Sequence, residues 1–291
     1  MFNQLLINGI IAGSIYALVA SGFSLIYSAT RFVHFAHGAI AATGAYFVYT
    51  FFSMFGLNFY LSSFLAIICT ALVGVFFFAI IYRPLQKKKS SNAILLIAGL
   101  GIMILVENLL LLMYGADVKT LNFIEVAQGK EIFGAIITPL QMFIVLISVI
   151  LLVVLQLFVK KTKFGKKMLA VADNPELADI TGINAKQIQY AGFAIGSALA
   201  GVAGILIGLE QNIEPVMGTQ LIVKGFTGAV IGGASSLPGS ILGSYLLGLT
   251  ENFGIWWLPS GYKDAIAFVL LLIFLLVRPQ GILGINKGVR Q

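Results

Sequence analysis

Three ionisable residues lie inside long, mostly apolar stretches of the chain, where a charge is costly. They are Glu107, Lys224 and Glu251. Charged side chains in such stretches usually face a cavity or an opposite charge rather than lipid. Lys224 and Glu251 are therefore a candidate ion pair, although the sequence equally allows each to lie at a polar interface. Glu107 and Glu251 are also the acids that an ion-conducting path would use.

Two histidines, His34 and His37, stand at the start of an apolar run and close to Arg31. Polar residues at such a position are typical of a membrane interface, and this pair is also a candidate for a solute path. A metal site is not expected, because no third or fourth ligand lies at a usable spacing. No phosphate-binding Gly-x-x-x-x-Gly-Lys-Ser/Thr segment, nucleophile elbow or dinucleotide fingerprint is present. The sequence therefore does not predict an enzyme, and it predicts no cofactor bound to this chain.

A glycine-rich break interrupts the apolar stretch 221–257. It contains Gly232 and Gly233, followed by Ser235, Ser236, Pro238 and Gly239. Backbone at membrane depth leaves helical geometry only where it is buried in protein or lines a polar cavity. Helix ends at such a break can present N–H and C=O groups to a zwitterionic solute. The alternative is that the glycines let helices pack closely, and both interpretations remain open from sequence.

The composition shows what must position these residues. Of 291 residues, 59% are hydrophobic and 10% are charged, whereas soluble domains have about 25% charged residues. An all-α, polytopic bundle of transmembrane helices is predicted, with about eight embedded segments including the broken stretch. The unbroken apolar runs are Leu5–Tyr27, Phe35–Phe52, Tyr60–Tyr82, Ala93–Tyr114, Ile136–Val159, Ile188–Leu209 and Ala265–Val277.

The basic residues predict the orientation of the bundle. Cytoplasmic loops of membrane proteins are enriched in Lys and Arg. Putting the basic residues inside places the N-terminus outside and the C-terminus in the cytoplasm, provided that the broken stretch returns to its starting side. The net charge of +7 follows this topology, so no nucleic-acid partner is expected. The cytoplasmic set is Arg31, Arg83, Lys87, Lys88, Lys89, Lys160, Lys161, Lys163, Lys166, Lys167, Lys186, Arg278, Lys287 and Arg290.

The internal loop 160–186 has clear helix signals. Asn174 suits an N-cap, Pro175 the first helical position and Glu176 the positive end of the helix dipole. Gly182 suits a C-terminal stop. A two-turn helix is expected, with apolar surface from Leu177, Ala178 and Ile180, preceded by a short helix from Lys166 to Ala172. Helices this short are marginal alone, so the loop is either an ordinary solvated connection or a docking element for a cytoplasmic protein.

Four motifs, in order along nearly the whole chain, resemble those of the LivH/LivM family of branched-chain amino acid permeases, with the LivH type most similar. They are Phe35-Ala36-His37-Gly38, Tyr82-Arg83-Pro84-Leu85, the run Ala229-Val230-Ile231-Gly232-Gly233 with Ser236-Leu237-Pro238-Gly239, and Arg278-Pro279-Gln280-Gly281. The chain departs from the family pattern at His34, Ala39 and Ser235. The loop also resembles the ATPase-contacting loop of ABC importer permeases at Gly165, Ala170, Asp173, Asn174, Ala178 and Gly182.

The resemblance implies a permease subunit of an ABC importer in a bacterial plasma membrane, a single domain over residues 1–291 surrounded by lipid. It implies a second related permease, two cytoplasmic ATPase subunits that bind the ATP, an extracytoplasmic solute-binding protein and a branched-chain or related amino acid. The implied ATPase-coupling residues lie from Gly165 to Gly182. The implied translocation path contains His34, Phe35, His37, Gly38, Gly232, Gly233, Ser235, Ser236, Pro238 and Gly239.

Two rival hypotheses remain beside this one, a stand-alone secondary transporter and a membrane enzyme, and no catalytic constellation in the sequence supports the enzyme. A stand-alone, ion-coupled secondary transporter would need acids along a central path, for which only Glu107 and Glu251 qualify.

An inverted repeat is also predicted, because Gly13-Ser14 and Gly196-Ser197 occur in spans of opposite predicted direction.

Overall fold

The computed structural model describes residues 1–123, 129–132 and 134–284. The fold is all-α, apart from a two-stranded antiparallel ribbon, β1 (Lys130–Ile132) with β2 (Ala135–Ile137). The helices are α1 (Phe2–Thr30), α2 (His37–Tyr49), α3 (Phe59–Phe77), α4 (Arg83–Lys87), α5 (Asn92–Tyr114), α6 (Pro139–Lys161), α7 (Lys163–Asp173), α8 (Pro175–Ile180), α9 (Ala185–Glu210), α10 (Met217–Gly232), α11 (Leu237–Gly254) and α12 (Lys263–Val277). Single π-helical turns, Thr50–Met54 and Phe78–Tyr82, continue α2 and α3.

Six helical segments of the described chain are long and apolar enough to cross a membrane: α1, α3 with α4, α5, α6, α9, and α12 with the turn before it. Helices α10 and α11 form a further, bent pair, with an angle of 118° between them. The predicted interruption of the stretch 221–257 is therefore confirmed. The predicted span Phe35–Phe52 corresponds to α2, which begins at His37 and is almost wholly buried.

Burial separates an inner from an outer set of helices. We compared the share of buried residues in the most apolar 18-residue stretch of each segment. This share is 83% in α1, 28% in the segments of α3, α5 and α6, and 6% in the segment that contains α12. The outer helices therefore present apolar side chains outward, as lipid contact requires. The inner helices are richer in small residues, which let backbones approach closely.

Helix α1 runs through the centre and packs against α9, α10 and α11. A β-carbon added at Gly248 of α11 would lie 2.6 Å from the backbone nitrogen of Gly13, and one added at Gly22 would lie 2.7 Å from the carbonyl oxygen of Gly196. Only glycine fits such contacts. Helices α1 and α9 are antiparallel, because Gly22 lies beside Gly196 and Ala29 beside Gly192. The opposite directions agree with the inverted-repeat prediction, which stays a prediction.

The loops sort to two ends of the bundle. At one end, Gln4 bonds the backbone of Ile136, Lys119 pairs with Ile213 through the backbone, and Gln141 bonds Glu210. We call this the N-terminal end. At the other, the Arg31 side chain contacts the carbonyl of Ala172, and the Ser28 hydroxyl donates to the carbonyl of Ser235. Helix α10 begins toward the N-terminal end and α11 ends there. The broken stretch thus returns to the side on which it starts, as the predicted topology requires. Lys287 and Arg290, two of the predicted cytoplasmic residues, lie outside the described residues.

Candidate functional site

The loop between α6 and α9 folds into two short helices at the end opposite the N-terminus. The Thr162 hydroxyl caps α7 by accepting from the Gly165 amide. The Asn174 side chain caps α8 by accepting from the amides of Glu176 and Leu177 at 3.0 and 3.1 Å. Pro175 occupies the first position, and Gly182 has a φ of 81° after the helix. The predicted capping of α8 is confirmed, whereas α7 begins three residues earlier than predicted.

The side chains of α7 and α8 divide into an inward and an outward set. Leu177 and Ile180 are 59% and 81% exposed, while Ala178 is 3% exposed. The expectation that Ala178 adds to the outward apolar surface is therefore wrong. Its methyl group faces the chain's own core because it lies on the opposite side of a tight helix from Leu177 and Ile180. Gly165 is also inward, and a β-carbon there would collide with the backbone of Phe158 and Val159.

The remaining predicted coupling residues lie along the same pair of helices. Asp173 and Glu176 are exposed, and Ala170 is half-buried. The basic residues of α7, Lys163, Lys166 and Lys167, are also exposed. An apolar tip on a basic, capped element has the composition of a protein contact.

The bend between α10 and α11 is formed by backbone-to-backbone contacts. A β-carbon at Gly239 would collide with the backbone of Gly232, and Gly233 has a φ of 110°, which favours glycine. The Ser236 hydroxyl caps α11 by accepting from the Gly239 amide at 3.2 Å. Pro238 lies in the first turn of α11.

The carbonyl groups that end α10 are bonded within the chain. The amides of Ile282 and Leu283 donate to the carbonyls of Ile231 and Gly232 at 2.8 and 2.9 Å. The C-terminal segment after α12 thus closes over the bend, and Ser28 of α1 binds its Ser235 carbonyl. In this conformation, the polar groups of the break stabilise the bundle itself.

These close contacts yield a test of the bend. We expect Gly239→Ala to lower the melting temperature of the purified protein, because overpacking costs about 1–3 kcal/mol. Gly261→Ala is the matched control, since no atom lies within 4 Å of a β-carbon at Gly261. Unfolding followed by tryptophan fluorescence in detergent measures the effect. Equal melting temperatures for the two variants would contradict the close packing.

The two histidines lie in the interior rather than at an interface, since both are 0% exposed. His34 Nδ1 is 2.8 Å from the Tyr82 hydroxyl, and the ring of Phe193 lies 4.9 Å from that of His34. His37 lies beside Gly22. Gly38 packs on the backbone of Gly218 at the start of α10. Phe35 is half-buried and contacts Phe226, with ring centroids 5.4 Å apart.

The ionisable residues of the broken stretch form a cluster toward the N-terminal end. Lys224 Nζ lies 2.6 Å from Glu251 Oε1 and 2.7 Å from Asp264 Oδ1. The Tyr16 hydroxyl donates to Glu251 Oε2 at 3.1 Å. The candidate pairing of Lys224 with Glu251 is thus confirmed, with Tyr16 and Asp264 as additional partners. The cluster joins α1, α10, α11 and α12.

Glu107 has a different setting from this cluster. Its carboxylate accepts a hydrogen bond from the hydroxyl of Thr219 in α10, while the neighbouring Asn108 bonds the carbonyl of Ile104 in its own helix. Among the described residues, no group of three or more His, Cys, Asp or Glu side chains could hold a metal ion.

A profile of the family described as "Branched-chain amino acid transport system / permease component" matches residues 5–275. The chain belongs to this family. The permease is 35% identical to the high-affinity branched-chain amino acid transport system permease protein BraD of Pseudomonas aeruginosa, with 97% of this chain and 96% of that protein covered. It is 33% identical to LivH of Salmonella typhimurium, with the same coverages. It is 31% identical to a probable LivH of Methanocaldococcus jannaschii, with 98% and 93% covered.

Family membership confirms the resemblance found in the motifs. The permease is a multi-pass membrane protein whose relatives are transport components rather than enzymes. Sequence reasoning missed Tyr16, Tyr82 and Asp264 as partners of the buried polar groups. The aromatic residues carry no charge signal, and Asp264 lies at the start of a separate helix, so no local spacing pointed to these contacts.

Proposed function

We propose that the permease is the membrane-spanning domain, residues 1–291, of an ABC importer for branched-chain amino acids. It would assemble with a second related permease, two cytoplasmic ATPase subunits that bind the ATP, and an extracytoplasmic solute-binding protein. The description of the family and the names of the relatives support the substrate class. The exposed apolar tip of α8 supports the coupling to a separate energy source.

The tip of α8 is the observation that carries this proposal. Ile180 is 81% exposed on a loop whose neighbouring helix α7 carries lysines. The sequence contains no phosphate-binding loop of its own, so an ABC mechanism needs ATP hydrolysis by another chain. A short capped helix with outward Leu177 and Ile180 has the shape and chemistry to insert into a groove on such a chain.

The proposed orientation places the N-terminal end outside and the α7–α8 end in the cytoplasm. In a Cys69→Ser background, we expect Lys167→Cys to resist a membrane-impermeant thiol reagent applied to intact cells, and Ser260→Cys to react. Both positions are exposed and lie at opposite ends of the bundle. Labelling of both after permeabilisation is the control. Ready labelling of Lys167→Cys from outside would reverse the orientation.

The transport proposal is tested with the reconstituted complex. Proteoliposomes that contain both permeases, the ATPases and the binding protein should accumulate leucine only when ATP is present. Uptake that continues without ATP but stops when an ionophore collapses ion gradients would favour the ion-coupled alternative.

The translocation path through His34, Phe35, His37, Gly38 and the bend is also part of the proposal. Its support is the placement of these residues at the start of α2, in the segment that leads into α2 and at the bend between α10 and α11. In the present conformation these residues pack against neighbouring parts of the bundle, as His34 does against Tyr82 and Gly38 against Gly218, which would correspond to a closed path. Substrate passage would require these contacts to open.

A further inference from the structure

A polar cavity opens at the N-terminal end of the bundle, between α1, α10, α12 and the segment that follows α9. Its volume is about 350 Å³, and Lys224, Asp264 and Lys263 form its charged side. A neighbouring cavity of about 230 Å³ shares Tyr16, Gln211 and Lys263 with it. Small-molecule sites commonly have volumes of about 300–1,000 Å³. The larger cavity is therefore of a size to receive a small solute.

Lys224 has an incomplete set of hydrogen bonds at this cavity. An ammonium group has three N–H donors. Among the described residues, its nitrogen is paired with two acceptors, Glu251 and Asp264. The Lys224 side chain is 8% exposed, and that small exposure is where it lines the cavity. One donor thus remains for a ligand.

The two partners of Lys224 differ in how firmly they are held. Glu251 is 1% exposed and also accepts a hydrogen bond from Tyr16, so it is the more firmly held partner. Asp264 is 64% exposed and lies in the first turn of α12. An incoming carboxylate could replace Asp264 on Lys224, because Asp264 can be solvated when it is released. The exchange leaves no buried charge unpaired.

The rest of the cavity lining is mixed. Ala12, Ile207, Met217 and Leu221 supply aliphatic surface, while Gln211, Asn212, Gln220 and exposed Glu214 supply polar groups. A lining that holds a cation, aliphatic side chains and an exposed acid matches three parts of one molecule. They are the carboxylate, the hydrocarbon side chain and the ammonium group of an aliphatic α-amino acid.

We infer that this cavity is an amino acid binding site of the permease itself, with Lys224 as the residue that binds the substrate carboxylate in exchange for Asp264. The inference rests on the proposed function for its substrate class. It adds a site on the membrane subunit, at the end that would receive solute from the binding protein.

The test uses the purified transporter complex without its binding protein, in a Cys69→Ser background. Gln220→Cys places a thiol on the cavity wall, and Ser260→Cys places one at the same end outside it. We expect leucine to slow maleimide labelling of Gln220→Cys and to leave Ser260→Cys unaffected. Leucinamide, which lacks the carboxylate, should protect at least about tenfold less well.

The paired variant Lys224→Gln with Glu251→Gln removes the cation without stranding its buried partner. In this background, the leucine concentration that halves labelling should rise about tenfold, which corresponds to about 1.4 kcal/mol. Asp264→Asn should lower that concentration, because it removes the competitor for Lys224. If Lys224 had only a structural role, leucine would protect the paired variant and Asp264→Asn as well as it protects the protein with Lys224, Glu251 and Asp264 unchanged.

Absence of leucine protection in a complex that transports leucine with its binding protein would overturn the inference and leave the proposed function intact. Equal protection by leucine and leucinamide would also overturn it. Failure of the reconstituted wild-type complex to transport leucine, measured separately, would instead contradict the proposed function.

Discussion

We expect Ile180→Asp to abolish association of the permease with the proposed ATPase subunits while leaving its own folding and membrane insertion intact. Ile180 and Leu177 are largely exposed in the isolated chain. Burying both in a partner's groove is worth about 3–6 kcal/mol at most, before the cost of ordering and docking. An aspartate at position 180 would place an unpaired charge in that contact, which costs several kcal/mol. A pull-down of the ATPases and an ATPase assay at matched expression measure the effect.

Two further variants separate a partner contact from general damage. Val118→Asp makes the same chemical change at an exposed apolar residue of the N-terminal end and should leave the complex intact. Ala178→Asp puts the charge on the inward side of α8, so it should lower the melting temperature of the permease alone, which Ile180→Asp should not. Normal assembly and hydrolysis with Ile180→Asp would show that α8 is not the coupling contact.

The second large effect is expected at the buried ion pair. Lys224→Gln removes the cation that contacts the carboxylate of Glu251, which is 1% exposed. Removing one partner of a buried pair typically costs about 3–5 kcal/mol. We therefore expect a large fall in the melting temperature of the detergent-purified permease and poor recovery from membranes. Tryptophan fluorescence and size-exclusion chromatography measure the two outcomes.

The reverse change should be milder, because the pair is not symmetrical. After Glu251→Gln, Lys224 keeps Asp264 at 2.7 Å as a carboxylate partner. Replacing both residues by Gln keeps hydrogen-bonding groups without charge, and it should recover most of the stability lost in Lys224→Gln. If Glu251→Gln were as damaging as Lys224→Gln, or if the double variant recovered nothing, the cluster would not be stabilised by charge pairing.

The helices and their ends could be predicted from the sequence because their signals are local. A run of about 20 apolar residues predicts a membrane span whatever its neighbours are. Asn174 followed by Pro175 predicts the start of α8, since a cap involves only residues within one turn. The break at Gly232 and Gly239 was equally visible, because no regular helix passes through Gly-Gly and Ser-Leu-Pro-Gly in close succession.

The partners across the bundle were decided only by the tertiary structure. Whether Ala178 faces the core or a partner depends on how α7 folds back on α6 at Gly165. His34 lies in the interior because residues 31–36 lead back between helices before α2 begins, where Tyr82 supplies its hydrogen bond. The pairing of Lys224 with Asp264 and the cavity beside it depend on the packing of α12 against α10. Such contacts join residues tens of positions apart. They depend on how all the helices pack and rotate relative to one another, and no local sequence pattern encodes that arrangement.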